Sequence, residues 1–139
     1  MQIWSRVLWL IYLRSTISRT FSRKGDGFMK AIDLLEKGES AVVVCTDGRN
    51  LRFSSDGFGS TGNWKVSPKR RVHKVVIYER DEVRNIHEVY VADHIGVSEP
   101  NASGRRVINL AKIRSIGMTT NNWYEFAGEG QNPVRYVQS

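Results

Sequence analysis

Val72-His73-Lys74-Val75-Val76-Ile77-Tyr78-Glu79, then Arg80-Asp81-Glu82-Val83-Arg84-Asn85, then Ile86-His87-Glu88-Val89-Tyr90-Val91-Ala92: this stretch decides the fold class. Both apolar runs are rich in β-branched and aromatic residues, which suit a pleated, half-buried surface. A short charged turn joins them, so 72–79 and 86–92 are expected to pair as an antiparallel hairpin. Alternation puts Val72, Lys74, Val76 and Tyr78 on one face and His73, Val75, Ile77 and Glu79 on the other. In the return strand Ile86, Glu88 and Tyr90 oppose His87, Val89 and Val91.

Upstream, Ser40-Ala41-Val42-Val43-Val44-Cys45-Thr46 reads as a strand. Asp47-Gly48 is a hairpin turn signal, with Leu51-Arg52-Phe53 as the return strand. The glycine-rich stretch from Ser54 to Gly62 reads as a loop, and Trp64 to Pro68 as an extended lead into the hairpin. Met29, Ile32, Leu35 and Gly38 have the spacing of a short amphipathic helix with a glycine stop. Downstream, Gly96 to Gly104 is a loop. Arg106–Leu110 and Ile113–Met118 are two strand candidates, although 108–113 also fits one helical turn. Trp123-Tyr124-Glu125-Phe126 alternates large rings with polar partners, and Pro133 leads a terminal strand through Val137. Short strands at close spacing imply a mainly β (or α+β) fold: a small antiparallel barrel or pseudobarrel with one short helix at its start. The absence of βαβ alternation argues against a parallel doubly wound sheet.

The chain has 139 residues, 40% hydrophobic and 25% charged, the balance of one globular domain rather than a disordered segment. Cys45 is the only cysteine, so no internal disulfide can form, and its place after Ala41–Val44 suggests a buried thiol. The formal charge is +7. Residues 1–28 hold five basic residues and one acid, whereas 29–139 hold 16 basic and 13 acidic residues. The domain at 29–139 is therefore mildly basic overall, and a local patch matters more than the total.

Residues 1–28 read as an N-terminal extension. The run from Ile3 to Leu13, interrupted by Arg6, is too short and too charged to span a bilayer, so no transmembrane span is expected. Residues 1–25, rich in Arg and Ser and without Asp or Glu, suit a targeting segment. An amphipathic membrane-surface anchor is a second reading. A third is that Met29 is the true start. Lys24-Gly25-Asp26 can be encoded with an embedded AAGGAG, a bacterial ribosome-binding sequence, a short distance before the Met29 codon. The third reading implies a cytoplasmic bacterial protein.

Function is sought in Gly62-Asn63-Trp64-Lys65-Val66-Ser67-Pro68-Lys69-Arg70-Arg71-Val72-His73-Lys74, which joins an indole to five cations. Lys65, Lys69, Arg70, Arg71 and Lys74 can hold phosphate, and Trp64 can stack on a base. Trp123 follows an asparagine as Trp64 does, so a pocket shared by the two rings is a further expectation, with Tyr124 beside it. Gln131 and Asn132 offer paired donors and acceptors for a base edge, and Arg135 adds a cation. Against each stands a structural alternative: solvated charges, core tryptophans, a turn pinned by asparagine and proline. His73, His87 and His94 lack zinc-site spacing, and no Walker loop, dinucleotide fingerprint or nucleophile elbow is present, so neither a metal nor a cofactor is expected.

Tryptophan-lysine leading into short strands, then a tyrosine-rich hairpin and a basic edge, resembles the layout of PUA-like domains, including their EVE branch. The resemblance covers residues 40–139. It implies a pseudobarrel that binds RNA or a modified base in a cleft, with Trp64 and Trp123 as stacking rings. The expected function is a non-enzymatic module binding nucleic acid or a nucleotide-like ligand. A protein-interaction or scaffold module is the alternative, and a small hydrolase or nuclease a second.

Overall fold

The structure, a computed structural model, describes residues 29–139. Among them seven strands form one mixed sheet. They are β1 (Ser40–Thr46), β2 (Leu51–Phe53), β3 (Gly59–Trp64), β4 (Lys74–Glu79), β5 (His87–Val97), β6 (Arg106–Thr119) and β7 (Val134–Gln138). Their order is β2-β3-β6-β5-β4-β1-β7. The expected hairpin is present: β4 and β5 pair antiparallel, from Lys74 opposite Asp93 to Glu79 opposite Glu88. β1 and β4 pair parallel, and the other neighbours are antiparallel.

The fold is mainly β, as expected, but the sheet does not close into a barrel; β2 and β7 remain its two edges. It curls instead. Leu51, Phe53 and Trp64 from one end pack with Val42, Val44 and Val134 from the other, together with Val75, Ile77, Tyr90, Ile108 and Leu110. This is the inner face. The long strands β5 and β6 carry the bend, with register shifts between Val89 and Tyr90, Val91 and Asp93, and His94 and Gly96. Bulges of this kind increase local twist.

The outer face is covered at only one end. There Val43, Val76, Tyr78, Val89 and Val91 pack under Met29, Ala31, Trp123 and Phe126. The cover is a 3-10 turn (Ala31–Leu34) and a short helix, α1 (Trp123–Ala127). The expected opening helix is thus a single 3-10 turn, and the α-helix lies where ring alternation suggested extended chain. Asn122 explains the difference. Its side chain accepts the Glu125 N–H at 2.9 Å, and Glu125 accepts the Asn122 N–H at 2.9 Å. This reciprocal capping box starts a helix.

Three further expectations are corrected. The Asp47-Gly48 turn does not pair β2 with β1, because Ala41–Val44 are buried on both faces and need two long neighbours, which β4 and β7 supply. The three-residue β2 pairs with β3 instead. Half of the expected 54–62 loop is strand β3. A Cβ at Gly59 would collide with the Arg52 carbonyl, and one at Gly62 would lie 2.8 Å from Val107 Cγ2, so glycine here permits close strand contact. β6 is one strand that bends at Lys112, where φ is 51°, rather than two strands or a helical turn. Among the described residues no helix is long and apolar enough to cross a membrane. The start-site, targeting and anchor readings of residues 1–28 lie outside the described residues.

Candidate nucleic-acid interface

Charge is unevenly divided among the segments of the sheet. Residues 50–73 and 98–114 comprise β2, β3, the β3–β4 and β5–β6 connections and most of β6. They carry nine Lys or Arg against two acids, Asp56 and Glu99. The other described residues carry seven Lys or Arg against eleven acids. The mild net charge of the domain therefore hides a cationic half and an anionic half.

The 65–73 connection is anchored by its apolar residues, since Val66 and Val72 pack on the inner core. Ser67 shapes its turn: its hydroxyl accepts the Lys69 N–H at 3.2 Å and its carbonyl the Arg70 N–H at 3.3 Å. Lys65, Lys69, Arg70 and Arg71 are exposed. The Arg70 guanidinium lies 3.9 Å above the Tyr136 ring centroid, reaching from the connection to β7. Trp64 pairs in register with Arg106, so Arg105 and Arg106 join Lys65 at the same end of β3.

Lys74 behaves differently from its neighbours. Its ammonium is 2.6 Å from Asp93 and 3.8 Å from Glu39. The Lys74 hydrogen bond holds the Asp93 carboxyl below its usual range. Lys74 is thus committed to an internal ion pair.

The two tryptophans do not share a pocket. Trp64 belongs to the inner core, 6% exposed, and donates its indole N–H to Thr61 Oγ1 at 3.0 Å. Trp123 belongs to the outer core, 5% exposed, and donates to the Asn132 carbonyl at 2.9 Å. Each ring is spent on packing, so neither offers a stacking face. Exposed Asn132 has its side-chain oxygen occupied locally, accepting the Val134 N–H at 3.0 Å. Arg135 reaches back to the Gly128 carbonyl at 3.3 Å and fixes the loop after α1. Gln131 is exposed on that loop, and half-exposed Tyr124 lines a groove beside α1 with Ile32, Phe126 and Val137. The expected site residues therefore divide. Lys65, Lys69, Arg70 and Arg71 lie together, exposed, on the β3–β4 connection. Trp64, Trp123, Lys74, Asn132 and Arg135 are used structurally, and Tyr124 and Gln131 lie around α1.

The bare end of the outer face was not anticipated as a site. With Leu51 and Phe53 in the inner core, Arg52 points outward. Arg52 pairs with Ser60, and Ser60 with Asn109, giving a row across three strands. Exposed Lys112 and Arg114 follow on β6. These cations are separated by up to 62 residues in sequence, so only the pairing of β2, β3 and β6 reveals the cluster.

A cleft of about 850 Å³ opens at the C-terminal ends of β1 and β4, with Trp64 on one wall. Its charged lining is Asp47, Glu79, Asp81 and Glu82 against Arg49 and Arg80, the wrong balance for phosphate. Arg49 binds Asp47 at 2.6 Å, Arg84 lies 3.6 Å from Asp81, and Arg80 lies 3.8 Å from Glu82. Burial pushes the Cys45 thiol above its usual pKa, which keeps it protonated and a poor nucleophile. Among the described residues no group of three or more His, Cys, Asp or Glu is placed to hold a metal ion. No family model matches the chain, and no curated protein or solved structure matches it.

Proposed function

We propose that this domain is a non-enzymatic module that binds nucleic acid through its cationic half. The observation that carries the proposal is the distribution of charge by segment: nine cations against two acids in residues 50–73 and 98–114, seven against eleven in the other described residues. Dispersed charge would serve solubility alone, whereas charge gathered on one flank attracts a polyanion and releases its counterions. Lys65, Lys69, Arg70 and Arg71 would hold phosphate from the β3–β4 connection, with Arg105 and Arg106 beside them. The layout resemblance to PUA-like domains points to the same class of ligand.

The test is binding of labelled oligonucleotides, followed by fluorescence anisotropy across a salt series. Replacing Lys69, Arg70 and Arg71 by Ala should weaken binding and flatten the slope of log affinity against log salt by roughly 2 units. If the wild-type chain binds no oligonucleotide at about 50 mM salt, the proposal fails.

A second reading, a protein-interaction module, is favoured by one feature. Ile32 (43% exposed) and Tyr124 (45% exposed) flank an apolar groove of about 470 Å³ beside α1. Exposed apolar surface rimmed by polar groups is characteristic of partner contacts.

A further inference from the structure

We infer that the bare outer face of β2, β3 and β6 selects single-stranded over duplex nucleic acid, and that Phe58 is the ring on which a base stacks. The inference rests on the nucleic-acid reading above and adds a ligand class and a selecting residue to it.

Phe58 is 51% exposed, the most exposed aromatic ring among the described residues. Its direction follows from register. Phe53 pairs with Gly59, and the Ser54 N–H donates to the Phe58 carbonyl at 2.8 Å, which extends the pairing by one step. Phe58 and Ser60 are two residues apart, so their side chains share a face. That face is the outer one, because Ser60 pairs with outward-pointing Arg52 and with Asn109.

The backbone that carries the ring is also held in place. Asp56 accepts the Phe58 N–H at 3.2 Å, and the Ser54 hydroxyl donates to the Phe58 carbonyl at 2.8 Å. The Gly57 carbonyl accepts the Ile113 N–H at 3.1 Å, tying the turn to β6 just past Lys112. Ordering the segment that presents a ring costs backbone entropy, and here the fold has already met that part of the cost. The Lys112 side chain is 81% exposed with its ammonium 4.0 Å from Asp93, and Arg52 and Arg114 are exposed on β2 and β6. Beside the ring the surface is low, since Ser60 and Asn109 are small and Gly62 has no side chain. Small neighbouring side chains, an exposed ring on a held backbone and flanking cations suit an unpaired base with its phosphates. A duplex keeps its bases stacked on one another and has no face to give to Phe58. From Phe58 to Lys65 along β3 is about 23 Å of extended chain, so one strand several nucleotides long could meet both Phe58 and the 65–71 cations.

The experiment compares an oligothymidine of about 12 nucleotides with a duplex of similar length, each labelled, against wild type and F58A. F58A should lose about 5- to 150-fold in affinity for oligothymidine, with the salt slope unchanged, because stacking releases no counterions. Its duplex affinity should stay within about twofold of wild type, and F58W should restore single-strand binding. If F58A binds oligothymidine as wild type does, or weakens both ligands equally, the inference is wrong. The nucleic-acid reading would then still stand, provided the Lys69, Arg70 and Arg71 replacements reduce the salt slope. If the wild-type chain binds neither ligand, both fall together.

Discussion

Trp64 and Trp123 lie on opposite faces of the same sheet, one in the inner core and one in the outer core. Their indole N–H groups are satisfied by different partners, Thr61 and Asn132. No single small ligand can touch both rings. W64A and W123A should each destabilise the fold by about 3–5 kcal/mol, the usual cost of truncating a large buried ring. With no shared partner, the two losses should add to within about 0.5 kcal/mol in denaturant unfolding. Strong coupling between them would contradict the two-face arrangement.

Stability should fall with acidification before the carboxylates titrate. Burial pushes the pKa of His87 below its usual range, with Arg80 adding to the shift and Asp81 and Glu82 opposing it; burial lowers His94 as well. His87 stacks on Tyr78 with centroids 4.7 Å apart, and its Nδ1 accepts the Asp81 N–H at 3.0 Å. A histidine whose folded pKa is depressed binds its proton more readily when unfolded. Its contribution is therefore complete above about pH 6.5 and is lost as pH falls from there through the folded value. H87Q should flatten the dependence of unfolding free energy on pH between about 5 and 7. An unchanged slope would remove His87 as its source.

The capping box of α1 gives a coupled pair. N122A and E125A should each cost about 1 kcal/mol, and the double variant less than their sum, because each side chain caps the other's backbone. Additive losses would show that the two bonds act independently.

G59A should destabilise by about 1–3 kcal/mol, since the added methyl group meets the Arg52 carbonyl and lies 2.7 Å from Ile113 Cδ1. G38A makes a useful contrast: nothing lies near its added methyl group, and only the positive φ of 87° is strained. Thermal unfolding of the two variants separates collision from backbone strain.

How far the sequence could be read depended on the distance between partners. The hairpin of β4 and β5 was legible because its two strands are neighbours in the chain and carry a clean period of two. The partners of β1 were not, because Asp47-Gly48 is a local turn signal while β4 and β7 are chosen by burial of both faces of Ala41–Val44. The helix at Trp123 had a visible cue in Asn122 and Glu125, three apart, but the alternating rings pointed the other way. In the candidate site, the run from Lys69 to Arg71 was legible as charge, whereas the commitment of Lys74 to Asp93 required the β4–β5 register. Phe58 lay hidden among glycines, and only the pairing of β2 with β3 and β6 shows which way it points.

The neighbours of β1 also constrain how the chain can be made. β1 pairs with β7, so residues 40–44 await residues 134–138. During synthesis, Ala41-Val42-Val43-Val44 can pair with β4 once residue 79 has emerged, but its other edge stays bare until the seventh strand arrives. A bare, apolar, β-branched edge is a template for pairing with other chains. The interval between the fourth strand and the seventh is therefore when a nascent copy is most open to aggregation.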